Sequence, residues 1–233
     1  LVSRFSYRQI FWFALVPGLI SVAAFFFLVS EVAEEPNHHM RFLPTLKGLP
    51  SKFKRYLVGV GIFGAGDFSH TLLILMAAQV LKPIYGPVVA NTSAILLYVF
   101  HNIFYAGLSF PFGYLGDKLP KRKILSLGYL LSAAMCAGFI FIVPKFWYLF
   151  ILFIIGGTFI ASEDVLEVAI AGELLPENLK GTGYGALATV NGIGDFISSI
   201  IVGFLWAAVS PAAGFLYAGI LSIIGAYIIW KLE

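Results

Sequence analysis

The chain has 233 residues, of which 60% are hydrophobic and only 12% are charged. Soluble globular domains contain about 45–50% apolar and about 25% charged residues, so this composition excludes a soluble protein and indicates a polytopic membrane protein. The net charge of +3 does not indicate a nucleic-acid partner, because the basic residues cluster between apolar runs.

Long apolar runs recur along the chain. A membrane-spanning helix needs about 20 mostly apolar residues, whereas the strands of a membrane barrel alternate apolar and polar residues. We therefore expect an all-α polytopic membrane protein. The seven predicted spans are Gln9–Ser30, Tyr56–Leu81, Thr92–Gly113, Ile124–Val143, Phe146–Gly172, Thr182–Ala207 and Pro211–Trp230.

The basic residues predict an orientation. On this topology eleven of them lie on one side, most in the long connection 31–55 and in the loop after the third span. Four lie on the other side: Arg4, Arg8, Lys82 and Lys145. The positive-inside rule makes the richer side cytoplasmic, with the amino terminus outside and the carboxyl terminus inside. We expect the cytoplasmic (inner) membrane of a bacterium or archaeon.

Ionisable side chains inside the predicted spans are the strongest functional signal. A carboxylate near the centre of a spanning helix costs about 2.5–3.5 kcal/mol on the insertion scale, and such groups are read as functional by default. No lysine or arginine lies at that depth. The candidate proton- or substrate-binding residues are Asp67, His70, His101, Glu163, Asp164, Glu167 and Asp195.

Spacing suggests how some of these groups meet. Asp67 and His70 are three residues apart and so share one helix face. Glu163 and Glu167 are four residues apart and share a face as well. We expect Glu167 to lie deeper toward the cytoplasm and to reach interfacial water, and Glu173 to be a solvated loop residue. For each intramembrane group, the other interpretation is a hydrogen-bonded side chain that fixes helix packing.

The loop GYLGDKLPKRK, residues 113–123, resembles the short signature of the major facilitator superfamily, G-x-x-x-D-[RK]-x-G-[RK]-[RK]. Pro120 stands where the signature has its second glycine. A second stretch, LLPENLKGTGYG at 174–185, resembles the connection before the eleventh helix of that superfamily. The matching loop residues are Gly113, Asp117, Lys118, Lys121 and Arg122.

This resemblance implies a domain organisation. Residues 1–30 would be the sixth helix of a twelve-helix transporter, left from its amino-terminal half. Residues 31–55 would be the central cytoplasmic linker, and residues 56–233 the carboxyl-terminal six-helix domain. Five upstream helices are then expected. In this family the seventh, eighth, tenth and eleventh helices line the cavity, and these correspond to the four spans that hold the ionisable groups.

The leading functional hypothesis is a secondary active transporter that moves a small molecule by alternating access. Its acids favour proton coupling, as in an antiporter, and efflux of a cationic or amphiphilic compound, because anion carriers usually need a cationic clamp. Its expected partners are the lipid bilayer, a small-molecule substrate, protons or cations, and the missing amino-terminal half or a partner chain.

Two alternatives remain. One is a non-transporting accessory protein or half-transporter that pairs with another chain. The other is a seven-helix receptor or retinal protein, although a retinal protein needs a lysine in its last helix and Pro211–Trp230 has none. No phosphate loop, metal-ligand spacing or nucleophile constellation is visible in the sequence. We therefore expect no enzyme activity, cofactor or metal.

Overall fold

The computed structural model describes residues 7–29 and 42–232, and this part of the chain is helical without a strand. Six of its helices are long and apolar enough to cross a membrane. A 3₁₀ turn, Glu177–Leu179, precedes the seventh helix. The fold is therefore an all-α polytopic membrane fold, as predicted. The helices are α1 Tyr7–Leu28, α2 Phe42–Gly48, α3 Ser51–Gly64, α4 Thr71–Lys118, α5 Lys121–Ile140, α6 Phe146–Leu174, α7 Lys180–Ala208 and α8 Pro211–Trp230.

The chain divides into two compact units, and the boundary between them along the chain falls between residues 40 and 41. The first unit contains α1, an apolar helix with Pro17 inside it. The second contains α2 to α8. Of the predicted linker, residues 31–41 lie outside the described residues, while residues 42–55 are mostly helical, in α2 and the start of α3. The three-part domain division stays a prediction.

The predicted second span, Tyr56–Leu81, is interrupted in the structure and is not one continuous helix. α3 ends at Gly64, residues 65–70 leave the helical path, and α4 begins at Thr71. Two glycines at 64 and 66 lower the local helix propensity. With 14 residues, α3 is about 21 Å long, too short to cross a hydrocarbon core of about 30 Å.

The helix break changes the geometry of the predicted pair Asp67 and His70. Both residues lie within or at the edge of the break, so they do not share a face of a regular helix. The break also removes backbone groups from the helical hydrogen-bond ladder. Ser199 of α7 compensates, because the Ser69 N–H donates to its Oγ at 3.3 Å. Lipid offers no such acceptor, and irregular backbone at membrane depth is tolerated where it is buried in protein or lines a polar cavity, as here.

α4 contains two segments joined at Gly86. Its 48 residues would extend about 72 Å as a straight helix, more than twice the hydrocarbon thickness. Gly86 adopts φ 75° and ψ 166°, a left-handed backbone conformation that glycine alone adopts readily. Residues 71–85 thus complete the second span, and residues 87–118 contain the predicted third span.

The other helix boundaries agree closely with the predicted spans. α6, α7 and α8 begin and end within two residues of the spans predicted at 146–172, 182–207 and 211–230. Ser210 starts α8 as its N-cap, accepting from the Ala213 N–H at 3.2 Å, with Pro211 in the first turn. Long apolar runs bounded by such signals are the features that sequence specifies best.

Helix packing brings α4 and α6 into backbone contact. At Gly157 of α6, an added Cβ would lie 2.2 Å from the carbonyl oxygen of His101 in α4. Small residues permit this kind of approach between membrane helices. On the other side of α6, Tyr129 of α5 stacks on Phe63 of α3, with ring centroids 3.7 Å apart. The bundle is therefore tightly packed around α6.

The signature loop joins four helices at one end of the bundle. Only residues 119–120 separate α4 from α5. Lys121 contacts Glu173 at 2.7 Å and Asp117 at 3.6 Å, and Arg122 donates to the carbonyl oxygen of Leu232. The expectation that Glu173 is merely solvated is wrong, because its carboxylate ties the end of α6 to the start of α5. Gly113 and Lys118 complete this motif at the end of α4, where Lys118 donates to the Tyr114 hydroxyl.

The contact at Gly157 yields a stability prediction. Gly157→Ala places a methyl group against backbone that cannot rotate away, so we expect a loss of about 1–3 kcal/mol in the free energy of unfolding. Gly203→Ala is the matched control, because a Cβ there meets nothing within 4 Å. Thermal denaturation of the full-length protein in detergent measures both variants. Equal stability of the two would contradict the described contact.

Candidate functional site

A polar cavity of about 580 Å³ opens between the helix break at 65–70, α4, α6 and α7. Six of the seven predicted residues line it. Of the described residues that line this cavity, none is a lysine or an arginine. Uncharged polar and aromatic groups fill the spaces between the ionisable ones. The predicted residues at the cavity are Asp67, His70, His101, Glu163, Asp164 and Asp195, and their polar neighbours include Tyr98, Asn102, Tyr105, Asn191 and Ser199.

The helix break positions the first group of cavity residues. Phe68 is buried, and its ring meets the edge of Phe215 in α8 at 5.6 Å. Its chain neighbours Asp67 and Ser69 border the cavity. A buried aromatic ring thus anchors the segment at the point where the turn-type hydrogen bonds of Gly66 and Asp67 end. Because of this anchor, the break can hold a carboxylate at a defined place beside α7.

His70 and His101 come together although they belong to different spans of the sequence. Their ring centroids are 5.3 Å apart, and Tyr98 stacks on His101 at a further 5.3 Å. The Nδ1 atom of His101 lies 3.2 Å from the carbonyl oxygen of Phe153. Since a carbonyl oxygen can only accept, Nδ1 carries the hydrogen, and Nε2 is the nitrogen of His101 that can take up a further proton.

Two helices face each other across the cavity with carboxylates. Glu163 and Asp164 lie on α6, and Asp164 accepts a hydrogen bond from the Tyr105 hydroxyl of α4. Asp195 of α7 lines the same cavity. Together with Asp67, four carboxyl groups from three parts of the fold share one cavity. Such a cavity favours protons or cations over anions, because like charges raise each other's energy in a poorly solvated site.

Glu167 occupies a separate position. Its side chain is only 2% exposed, so the expectation that it reaches interfacial water is wrong. It accepts hydrogen bonds from the Tyr129 hydroxyl of α5 and from Asn191 of α7 at 2.7 Å, while the Tyr56 hydroxyl donates to its backbone carbonyl at 3.0 Å. Donors from three helices therefore hold Glu167 in place.

A smaller cavity of about 310 Å³ lies on the other side of Glu167. Tyr184 and Leu187 of α7 line it. Asp164 and Asn191 border both this cavity and the larger one. Glu167 itself lines the smaller cavity, so two residues are common to the surroundings of Glu167 and of the main site.

Sequence reasoning missed the tyrosine partners of Glu167. Tyr129 and Tyr56 are fully buried; Tyr129 lies in a predominantly apolar run and Tyr56 directly follows a basic stretch, and neither position drew attention as a polar group. A signal was nevertheless present, since a buried tyrosine hydroxyl usually requires a hydrogen-bond partner. What the sequence could not supply was the identity of that partner on another helix.

Membrane-spanning helices packed around an acidic cavity define an integral membrane protein with a polar interior site. The comparisons with known proteins assign the family. The model of the Major Facilitator Superfamily matches residues 58–233. The chain belongs to this superfamily, in agreement with the resemblance of its loop motif.

Two curated relatives support the assignment. An uncharacterised MFS-type transporter of Methanocaldococcus jannaschii is 31% identical over 226 residues, covering 97% of this chain and 56% of the relative. A maltose permease of Geobacillus stearothermophilus is 25% identical over 210 residues, covering 80% of this chain and 52% of the relative. The chain therefore spans about half the length of the curated relatives it matches.

The network around Glu167 yields a second prediction. Tyr129→Phe removes a buried donor and leaves a carboxyl oxygen without that partner, so we expect a loss of about 1–3 kcal/mol in the free energy of unfolding. Tyr98→Phe is the control, because the Tyr98 hydroxyl makes no hydrogen bond within the described residues. Thermal denaturation in detergent compares them. Two variants of equal stability would show that the Tyr129 hydroxyl does not hold Glu167.

Proposed function

We propose that this chain is the carboxyl-terminal half of a secondary active transporter that moves a small molecule by alternating access. The superfamily assignment supports a membrane transporter rather than an enzyme. The cavity is bounded by elements of one six-helix unit, so a complete pathway needs a second unit to close it. The amino-terminal half of the same protein, or a partner chain, would supply this unit.

The observation that carries the proposal is the unbalanced acidity of the cavity. Asp67, Glu163, Asp164 and Asp195 share it with two histidines and with no cationic side chain among the described lining residues. Intramembrane acids without basic partners suit groups that bind and release protons as access changes sides. We therefore propose proton coupling, with Glu163 and Asp195 as the groups that exchange protons or cations with the pathway.

The same charge distribution bears on the substrate. A cationic or amphiphilic compound would find carboxylates for its charge and the rings of Tyr98 and Tyr105 for its apolar part. We propose export of such a compound in exchange for protons. This direction of transport follows from the antiport hypothesis rather than from any contact of the cavity.

A neutral polyol is the second candidate substrate. Asn102, Asn191 and Ser199 add amide and hydroxyl groups to the cavity wall, and these groups recognise hydroxyl-rich molecules. One relative is named a maltose permease. For this candidate the carboxylates would act as hydrogen-bond acceptors for sugar hydroxyl groups as well as proton carriers.

The transport proposal predicts the effect of two amide substitutions. In proteoliposomes of the full-length protein, Glu163→Gln and Asp195→Asn should each reduce pH-gradient-driven movement of ethidium about tenfold or more, because an amide cannot carry the coupled proton. Exchange of ethidium without a gradient should persist. Glu177→Gln is the control, since Glu177 lies on the exposed 3₁₀ turn outside the cavity.

The outcomes separate the hypotheses. Full gradient-driven transport in both amide variants would show that these carboxylates do not carry the coupled proton. Gradient-driven uptake of maltose without ethidium movement would favour the polyol. Movement of neither probe until a second chain is added would favour the accessory half-transporter.

Orientation is a further part of the proposal. We propose that the end of the bundle that holds Lys121 and Arg122 faces the cytoplasm, with the carboxyl terminus there and the amino terminus outside. In a background without native cysteines, Lys82→Cys should react with an impermeant maleimide in intact cells. Lys123→Cys should react only after the membrane is permeabilised. The reverse pattern would invert the proposed topology.

A further inference from the structure

A second groove lies far from the acidic cavity, at the end of the bundle that holds the signature loop. It has a volume of about 480 Å³ and runs between the start of α3 and the end of α8. Ligand-binding pockets in proteins typically measure about 300–1,000 Å³, so this groove can accept a headgroup-sized molecule. Lys52 and Arg55 line one wall, and Lys231 lies on the other.

These three cations lack counter-ions in the described part of the chain. The ion pairs there involve Lys121 and Lys180, whereas none includes a groove residue. None of the described residues that line the groove is acidic. Three positive charges that have no ion pair among the described residues repel each other around one groove, and an anion bound between them would relieve that repulsion.

The start of α3 adds to the positive electrostatic potential of the groove. Lys52 and Arg55 belong to its first turns, where the helix dipole is positive. Pro50 at the N-cap provides no side-chain hydrogen bond, so backbone N–H groups of the first turn are left for another acceptor. Two cations at an uncapped helix start form an unfavourable arrangement by themselves and a favourable one around an anion.

The remainder of the groove is apolar and faces outward. Val58 is 57% exposed and Tyr227 is 63% exposed, and Ile228 completes the apolar surface between them. Trp230 follows on α8, with the Lys123 ammonium 5.5 Å from its ring centroid. Exposed tyrosine and tryptophan beside lysine are typical of the level where a membrane helix meets the lipid headgroups.

We propose that this groove binds the phosphate headgroup of an anionic phospholipid. The phosphate would lie between Lys52, Arg55 and Lys231, and the lipid chains would extend along Val58 and Ile228. The combination of clustered cations with an exposed apolar surface favours a lipid over a soluble anion, because a free phosphate has no part that would cover the apolar wall. Basic pockets between membrane helices recognise lipid headgroups by this chemistry.

The test uses the full-length protein in detergent and native mass spectrometry with added phosphatidylglycerol. The triple variant Lys52→Gln, Arg55→Gln, Lys231→Gln should bind this lipid at least about tenfold more weakly, since each basic residue near an anionic headgroup strengthens the interaction. A control triple variant, Lys82→Gln, Lys145→Gln, Lys180→Gln, lowers the net charge equally outside the groove and should bind like the wild-type protein.

Two further probes identify the source of the phosphate. Phosphatidylcholine should bind more weakly than phosphatidylglycerol, and glycerol 3-phosphate should not displace the bound lipid. Equal binding of both lipids, or equal binding by the two triple variants, would overturn the proposal. Displacement by glycerol 3-phosphate would also overturn it, because the groove would then be a site for soluble phosphate.

Discussion

Lipid cannot satisfy backbone polar groups, so a break in a membrane helix such as the one at residues 65–70 must be surrounded by protein or line a polar cavity. A continuous helix would satisfy its own N–H and carbonyl groups. Here the Ser69 N–H donates instead to Ser199 of α7, and buried Phe68 fixes the segment against α8. The break is thus held by two neighbouring helices. This support places Asp67 at the wall of the cavity and His70 beside His101.

The remaining intramembrane carboxylates are also arranged by cross-helix donors. Asp164 is bonded by Tyr105 of α4, and Glu167 by Tyr129 of α5 and Asn191 of α7. Carboxyl groups held in this way have defined positions, which a transport site requires. Glu163 and Asp195 line the same cavity as Asp67 and Asp164, and neither makes a side-chain hydrogen bond within the described residues.

Although the binding role of its ionisable residues stays a prediction, the sequence predicted the helical class, most span boundaries and six ionisable residues of the cavity. Those predictions rest on long apolar runs and on the high free-energy cost of a charge in lipid. Both can be recognised from the residue types alone, without knowledge of contacts distant in sequence. The break after Gly64 could not be predicted in this way, because α8 and α7 stabilise it and those contacts are distant in sequence. The hydrogen bonds of Glu167 were missed for the same reason. Glu173 likewise acquires its role only through Lys121, 52 residues earlier in the chain.

The contacts of Lys121 and Arg122 form a clamp that connects some helices of the second unit directly and not others. It fastens the ends of α4, α5, α6 and α8 to one another, while α3 and α7 lie outside its ion pairs and hydrogen bonds. His101, Glu163 and Asp164 lie on helices that the clamp joins, whereas Asp195 lies on α7, which is held to α6 and to the helix break by the hydrogen bonds of Asn191 and Ser199 instead. A tilt of α7 would change the spacing of the acids and would break or rearrange those two hydrogen bonds. Distances between spin labels on α6 and α7 would register that tilt as a change confined to one wall of the cavity.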